Sequence, residues 1–185
     1  MNWNITSLVD CAVSPWKNGG GSTRELVAWP TPETWQWRMS VAEVASDGPF
    51  SRFEDVRRWF AVLSGAGVAL ESDGTSHVMT AQSDPIHFDG DASTTCTLLA
   101  GPTQDFNLMT HHALNTRMQR ISGHVDIDIT HAAIIAIYAI DDATITPTDG
   151  EIINLKAASL AWYRTDDATS LTVKSANALW MEIFE

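Results

Sequence analysis

The chain has 185 residues, of which 44% are hydrophobic and 18% charged, and its formal net charge at pH 7 is −12. This composition is that of an ordinary globular protein and excludes long disordered stretches, while the length accommodates one domain or two small ones. Lys and Arg together number only 11, which argues against nucleic acid and an anionic membrane surface as partners.

The two cysteines and the N-terminal segment bear on the compartment. Cys11 and Cys96 are too few for a disulfide framework and lack C-x-x-C spacing. The segment MNWNITSLVDCAV has no basic region and no long apolar run, so the sequence predicts neither a signal peptide nor a membrane span. We therefore expect a cytoplasmic protein with reduced thiols.

Taken in chain order, the elements expected are strands. In TWQWRMSVAEV, apolar residues at 35, 37, 39 and 41 alternate with polar ones, so Arg38 and Ser40 share the polar face of a strand. Further strands are expected in RWFAVLSG, GVALES, PIHF, STTCTLLAG and DFNLMT, and, after a hinge around ALNTRMQRISG, in VDIDIT, AAIIAIYAI, ATITP, EIINLKAASLAWYR, SLTVK and ALWMEIF.

These two series of strands resemble each other in order, at a spacing of roughly 70 residues. The repeat predicts an all-β fold, a duplicated jelly roll with two β-barrels in one chain. We place the N-terminal barrel at residues 1–115 and a smaller C-terminal barrel at residues 116–185.

The segment SPWKNGGGSTRELVAWP, Ser14 to Pro30, carries three consecutive glycines before a predicted strand. Glycines let a backbone loop bring its N–H groups close to a ligand. The order of residues is neither that of a Walker loop nor that of a dinucleotide fingerprint. A plain turn between two strands is the alternative.

Polar residues flank these glycines and suit a carboxylate ligand. Lys17 and Arg24 supply charge, and Arg24 can bind in bidentate fashion. Glu25 can orient an arginine or accept a hydrogen bond from a ligand N–H. Alternatively, Arg24, Glu25 and Arg38 form a structural ion pair inside a barrel, and spacing alone does not choose between the two. The candidate group comprises Lys17, Asn18, Thr23, Arg24, Glu25 and Arg38.

Other charged residues are interpreted as solvent-facing. Arginines 52, 57 and 58 are read as a solvated face, next to a loop pinned by Phe50 and Phe53. The best metal candidate is HVDID, in which residues 124, 126 and 128 share one face of a strand. Such alternation is usual for the solvent-exposed face of a sheet, so no metal is expected.

Several motifs resemble the HutD/Ves family in their order and spacing. They are PWKNGGGSTRELV, WQWRMSVAEVASDGPFSRF, LSGAG, HFDGD and DFNLMT, and they span Pro15 to Thr110. The resemblance implies a cupin-like fold with two barrels, a bicupin. Carried over position by position, it implies a ligand-binding set of Lys17, Asn18, Thr23, Arg24, Glu25, Trp37, Arg38, Ser40, Asp105 and Asn107.

The resemblance also implies what the protein does. Cupin enzymes usually hold a metal on a G-x5-H-x-H-x3,4-E-x6-G motif, and the segment before WFAVLSGAG has no histidine pair. This implies no metal and no cofactor. Family members are thought to bind a metabolite of histidine utilisation, such as urocanate or formylglutamate, and to moderate flux or expression; others are associated with stress or cold response.

Three hypotheses follow. The favoured one is a metal-free protein that binds a small carboxylate metabolite, with an imidazole ring able to stack on Trp16 or Trp37. The second is a metal-independent isomerase or hydrolase with Glu25 as base and Arg38 as electrostatic support. The third is a stress-related protein-interaction module in which some of the eight tryptophans form an interface. A homodimer through a barrel face is also compatible with the fold.

Overall fold

The structure is a computed structural model that describes residues 2–185, and within these residues it is almost entirely β-structure. One short 3-10 helix, Leu8–Asp10, interrupts the strands. The all-β prediction is confirmed. The strands are β1 Asn4–Ser7, β2 Val13–Pro15, β3 Gly21–Trp29, β4 Trp37–Val44, β5 Gly48–Pro49, β6 Val56–Ser64, β7 Val68–Ser72, β8 Thr75–Met79, β9 Ile86–Asp89, β10 Thr94–Leu98, β11 Thr103–His111, β12 Asn115–Ile129, β13 Ala133–Ala139, β14 Ala143–Pro147, β15 Ile153–Leu155, β16 Ser159–Thr165 and β17 Thr169–Phe184.

The strands form two compact units. One is Cys11–His112, and the other combines residues 2–10 with Ala113–Glu185. The predicted division lies between residues 115 and 116. The observed units differ from it chiefly in residues 2–10, which join the C-terminal unit because β1 pairs with β16, with Asn4 opposite Trp162. Pairing between strands that far apart in the chain leaves no local signal in the sequence. In residues 2–185, no helix has the length and apolar character needed to cross a membrane.

The Cys11–His112 unit is built from two antiparallel sheets. A six-stranded sheet has the order β2-β3-β4-β11-β6-β9, and a four-stranded sheet has the order β5-β10-β7-β8. Both sheets contribute side chains to one apolar core, as expected for a jelly roll. Its buried members are Val44, Phe60, Val62, Val68, Leu70, Met79 and Cys96.

Strand pairing decides which side chains share the inner face of the larger sheet. Residues opposite each other in an antiparallel pair point to the same face. Ser40 lies opposite Asn107, which in turn lies opposite Phe60. Two residues away along each strand, and so on the same face, Arg38 lies opposite Met109, and Met109 lies opposite Arg58. The inner face therefore carries Ser40 and Asn107 in one row and the two arginines in the next.

The second unit is one seven-stranded sheet with the order β1-β16-β13-β17-β14-β15, and β12 also pairs with β17. Its core is aliphatic and aromatic, with Ile135, Ile137 and Trp180 among the buried members. Glu182 is only 3% exposed. It is held by Arg117 Nε at 2.9 Å and by His131 Nε2 at 3.3 Å.

Candidate functional site

A cavity of about 550 Å³ in the Cys11–His112 unit is lined by the part of the inner face that carries Arg38, Arg58 and Asn107. Its size is within the usual range for small-molecule sites, which combine apolar walls with a few placed polar groups. The aromatic part of the lining is Trp16, Phe50 and Phe53. The polar part is Ser14, Lys17, Asn18, Thr23, Arg38, Ser40, Ser51, Arg58 and Asn107.

Arg58 is the most unusual of these lining residues. It is only 7% exposed, and Asn107 Oδ1 accepts hydrogen bonds from Arg58 Nε at 2.9 Å and from Nη2 at 2.7 Å. Its guanidinium carbon lies 4.2 Å from the centre of the Phe50 ring. Within the described part of the chain, no carboxylate oxygen lies within 4.0 Å of the Arg58 guanidinium. A buried cation without a contacting counter-ion is costly.

The electrostatics of Arg58 reflect this position. Burial and, to a lesser extent, the positive charge of Arg38 lower the pKa of Arg58 to about 10, against the opposing effect of the Asp105 carboxylate. At neutral pH the guanidinium therefore remains charged. Arg38 and Arg58 thus share one partly buried cavity, where an anion gains more than it would on an open surface.

Arg38 reaches the cavity from β4 and has a partial counter-ion. Its Nε lies 3.7 Å from Glu25 Oε2, and its guanidinium carbon lies 5.6 Å from the centre of the Trp35 ring. Burial lowers the pKa of Arg38, and the Glu25 charge raises it. Two of the three residues in the predicted structural ion pair, Glu25 and Arg38, are therefore in contact, and Arg24 is not part of the pair.

Asp105 lies on the same inner face, opposite Ala42 and two residues from Asn107, both of which line the cavity. Its side chain is 0% exposed, Thr103 Oγ1 donates to its Oδ2 at 2.9 Å, and its Oδ1 has no hydrogen-bond partner among the described residues. Burial raises the pKa of Asp105 to about 7, against the opposing effects of the Thr103 hydrogen bond and of Arg58. This carboxyl therefore changes charge near neutral pH.

The three glycines have a different role from the predicted one. The N–H of Gly19 donates to Trp16 O at 3.0 Å, and that of Gly20 donates to Asn18 Oδ1 at 3.0 Å. These main-chain donors serve the loop itself, and the glycines are not among the residues that line the cavity. A Cβ on Gly21 would lie 2.2 Å from Glu43 O and 3.0 Å from the Trp16 ring.

Glycine at position 21 is therefore required for close packing. It allows the Trp16 ring to lie against the backbone of the hairpin, where Trp16 Nε1 donates to Thr23 Oγ1 at 2.8 Å. The loop is a turn between β2 and β3, as in the alternative considered from the sequence. Its contribution to the site is to position an aromatic wall.

The structure brings six of the ten predicted site residues to the cavity and leaves four outside its lining. The six are Lys17, Asn18, Thr23, Arg38, Ser40 and Asn107. Among the other four, Glu25 contacts Arg38, and Asp105 is buried beside the cavity-lining Asn107 on β11. Trp37 is 2% exposed and stacks on Trp29, with 6.5 Å between ring centres.

The predicted convergence of Arg24 with the other cations is corrected. Arg24 lies opposite Val41, whereas Thr23 lies opposite Ala42, so Arg24 and Thr23 point to opposite faces of the sheet. Thr23 and Ala42 line the cavity. The Arg24 guanidinium instead donates to Cys11 O at 2.8 Å.

Arg58, interpreted from the sequence as part of a solvated face, is the functional candidate that sequence reasoning missed. The signal was present in VRRWFAVLS, where Arg58 is in phase with Val56, Phe60 and Val62 along a strand. These three neighbours are 2%, 0% and 0% exposed. A period of two therefore places Arg58 on the inner face.

The residues considered for a metal lie on β12. His124, Asp126 and Asp128 are all exposed. In the part of the chain that the structure describes, no three or more His, Cys, Asp and Glu side chains are grouped so that they could hold a metal ion.

Comparison with known sequences agrees with the motifs. The family model described as HutD matches residues 9–181. Protein Ves of Escherichia fergusonii is 39% identical over 102 residues, which are 53% of this chain and 52% of that protein. An uncharacterized 21.2 kDa protein in the hutC 3′ region of Pseudomonas putida is 37% identical over 97 residues, 51% of each chain. The chain thus spans about half the length of the curated relatives it matches.

Comparison with solved structures extends over the whole chain. HutD from Pseudomonas fluorescens SBW25, in a formate condition, has a TM-score of 0.86 at 28% identity and covers 99% of this chain and 98% of its own. Oxalate decarboxylase from Lactobacillus farciminis, a cupin-fold protein, has a TM-score of 0.67 at 9% identity, covering 100% of this chain and 86% of its own. The second likeness concerns the fold alone, and it confirms the predicted cupin-like fold.

Proposed function

The chain belongs to the HutD family, and from this premise we propose that its Cys11–His112 unit binds a small carboxylate metabolite in the cavity lined by Arg38 and Arg58. The observation that carries the proposal is the burial of Arg58 on the cavity wall with no carboxylate within 4.0 Å of its guanidinium in the described chain. A ligand carboxylate would supply the missing counter-charge.

The magnitude of the charge interaction favours an anion here over one on the protein surface. Two unit charges about 4 Å apart interact by about 1 kcal/mol in bulk water and by about 4 kcal/mol at the effective dielectric near a protein. Arg58 is already desolvated, so an incoming carboxylate does not have to strip water from it. Asn107 orients the guanidinium through two hydrogen bonds, which leaves less freedom to be lost on binding.

The rest of the cavity favours a ligand that is more than a bare anion. Trp16, Phe50 and Phe53 present apolar surface, and aromatic side chains pack well against a planar ring or an extended chain. Lys17 and Asn18 offer polar contacts for a second functional group. We propose a metabolite of histidine utilisation, urocanate or formylglutamate, because the family resemblance implies that pathway and a relative lies in a hutC 3′ region.

The test is calorimetric titration of the full chain with urocanate and with N-formylglutamate. Injections of ligand-free buffer into the wild-type protein serve as the blank. Arg58→Gln removes the buried charge, and we expect it to weaken binding by about tenfold to about a hundredfold, because a desolvated charged hydrogen bond contributes about 1.5–3 kcal/mol. Arg57→Gln is the matched control, since residue 57 alternates with residue 58 along β6 and is not among the cavity-lining residues.

Two outcomes would contradict this proposal. One is the absence of heat and of any ligand-dependent rise in melting temperature with either compound. The other is an equal loss of affinity in Arg57→Gln and Arg58→Gln. Mass spectrometry of the recovered ligand distinguishes binding from turnover; Glu25, the base of the enzymatic hypothesis, does not line the cavity.

A further inference from the structure

We propose that Asp105 makes anion binding proton-linked: when a carboxylate enters beside Arg58 and Arg38, Asp105 takes up a proton from the solvent. This inference rests on the proposed function of the cavity and adds a chemical requirement to it. The bound species is then an anion together with a proton held on a protein side chain that does not itself line the cavity.

The geometry ties Asp105 to the cation at the cavity wall. Asp105 and Asn107 are two residues apart on β11, so their side chains share the inner face. Asn107 Oδ1 holds Arg58 through two hydrogen bonds, and Asn107 Nδ2 donates to Asp105 O at 3.4 Å. Among residues 2–185, only one oxygen of the Asp105 carboxyl has a hydrogen-bond donor, which is Thr103 Oγ1, and the buried Oδ1 has none.

A buried carboxyl with one unsatisfied oxygen is poorly suited to permanent ionisation. A carboxylate buried away from water needs several donors or a contacting cation. Asp105 has one side-chain donor, and Arg58, which favours its ionised form, is not within 4.0 Å of it. This environment disfavours the ionised form of Asp105, and a negative charge placed near it disfavours that form further.

The charged and titratable groups around Asp105 come from several strands. Arg58 of β6 favours the ionised form of Asp105, and Asp105 in turn raises the pKa of Cys96 of β10. Arg38 of β4 acts electrostatically on Arg58, and Glu25 of β3 acts on Arg38. Asp47 also raises the pKa of Cys96. Burial raises the pKa of the Cys96 thiol to about 12, so it stays neutral. Arg58, with its pKa lowered to about 10, stays charged.

Asp105, with its pKa near 7, is therefore the member of this interior set that changes charge around neutral pH. When it is ionised, its negative charge partly neutralises Arg58 and repels an arriving anion. When it is protonated, Arg58 and Arg38 attract the anion without that opposition. The anion therefore binds the protonated form more tightly.

The sign of the pH dependence follows from linkage. Because the ligand prefers protonated Asp105, binding raises the pKa of Asp105 further, and the complex takes up at most one proton per anion between the free and bound pKa values. Affinity is then highest below the free pKa and falls as pH rises through the interval between the two values.

The experiment is calorimetric titration of the full chain with N-formylglutamate, whose carboxyl groups remain ionised above about pH 6. We expect binding about tenfold weaker at about pH 8.5 than at about pH 6. At about pH 7.5, titrations in two buffers with different ionisation enthalpies should show net proton uptake. Asp105→Asn should bind with nearly constant affinity over this range and without proton uptake.

Two further variants test whether the pH dependence of binding belongs to Asp105. Asp84→Asn removes an equal formal charge at an exposed position and should retain the wild-type pH dependence. Thr103→Val removes the hydrogen bond that lowers the pKa of Asp105, so it should move the fall in affinity to higher pH. If Asp105→Asn does not fold, the wild-type proton count and the Thr103→Val shift decide the question.

The outcomes separate this inference from the proposed function. Binding of N-formylglutamate with no pH dependence and no proton uptake overturns the role of Asp105 and leaves the binding site in place. The same slope in Asp105→Asn as in the wild type also overturns it. If neither urocanate nor N-formylglutamate binds at any pH in this range, the proposed function fails, and this inference fails with it.

Discussion

Arg58 and Asp105 illustrate how a barrel interior treats the two signs of charge. Arg58 keeps its charge because five donors can be shared between Asn107 and the cavity, and its unperturbed pKa is far above neutral. Asp105 has a low unperturbed pKa but loses hydration entirely. Burial therefore leaves the arginine charged and brings the carboxyl into the physiological range.

Asp105 should also make the free protein less stable as pH rises. Its folded pKa is raised from 3.8 to about 7, so the folded state holds the proton more tightly than the unfolded chain. Unfolding free energy should fall between about pH 4 and about pH 7 and then level off, by at most about 4 kcal/mol for a shift of about three pH units.

Asp105→Asn should remove this contribution, because the asparagine amide carries no charge anywhere in this pH range. The variant should gain stability relative to the wild type as pH rises from about 4 to about 8, by up to about 4 kcal/mol. Urea denaturation at a series of pH values, followed by tryptophan fluorescence, measures the difference. Parallel stability curves for the two proteins would contradict the assigned shift.

At the scale of elements, the β2–β3 hairpin shows how a turn supports a site without contacting the ligand. Its glycines satisfy their own backbone donors, and Gly21 allows the approach of the Trp16 ring and of the β4 backbone at Glu43. The wall of the cavity therefore depends on the absence of a side chain at one position in the neighbouring strand.

Gly21→Ala should destabilise the Cys11–His112 unit by about 1–3 kcal/mol, because a new methyl group would meet a backbone oxygen that cannot rotate away. We also expect weaker binding of carboxylate probes, since Trp16 would be displaced. Gly48→Ala is the matched control: a Cβ at Gly48 has no atom within 4 Å, and its φ lies outside the left-handed region. Chemical denaturation of both variants compares the costs, and equal costs would argue against this role of Gly21.

At the scale of the whole chain, the first strand belongs with the C-terminal half. β1 pairs with β16 and covers what would otherwise be a strand edge of the seven-stranded sheet. An uncovered edge exposes unpaired N–H and C=O groups and invites association with other chains. The N-terminal residues thus stabilise a unit whose remaining strands begin more than a hundred residues later along the chain.

Removal of residues Asn4–Ser7 should therefore accelerate amide hydrogen exchange in β16, Ser159–Thr165, by about tenfold or more, since each lost backbone hydrogen bond is worth about 1 kcal/mol. Ile5→Ala keeps the backbone donors and serves as the control. Unchanged exchange in β16 after the deletion would mean that β1 does not protect this edge.

The sequence by itself determined what depends on local periodicity. Alternation along β4 places Trp37, Met39 and Val41 on one face and Arg38 and Ser40 on the other, and short apolar runs between turn residues identify most strands. The motifs between Pro15 and Thr110 identify the family because they are contiguous. Each of these signals is contained within about ten neighbouring residues, the reach of one strand and its turns.

Only the tertiary structure decided which faces meet. Arg24 and Thr23 alternate like any neighbours in a strand, and the pairing of β3 with β4 sends Thr23 into the cavity and Arg24 away from it. Likewise, Arg58 and Asp105 share the inner face because β6 and β11 are paired, with Arg58 opposite Met109 and Asp105 opposite Val62. Strand pairing is a long-range choice made by burial of the whole inner face, and a period of two in the sequence is the same whichever face becomes the interior.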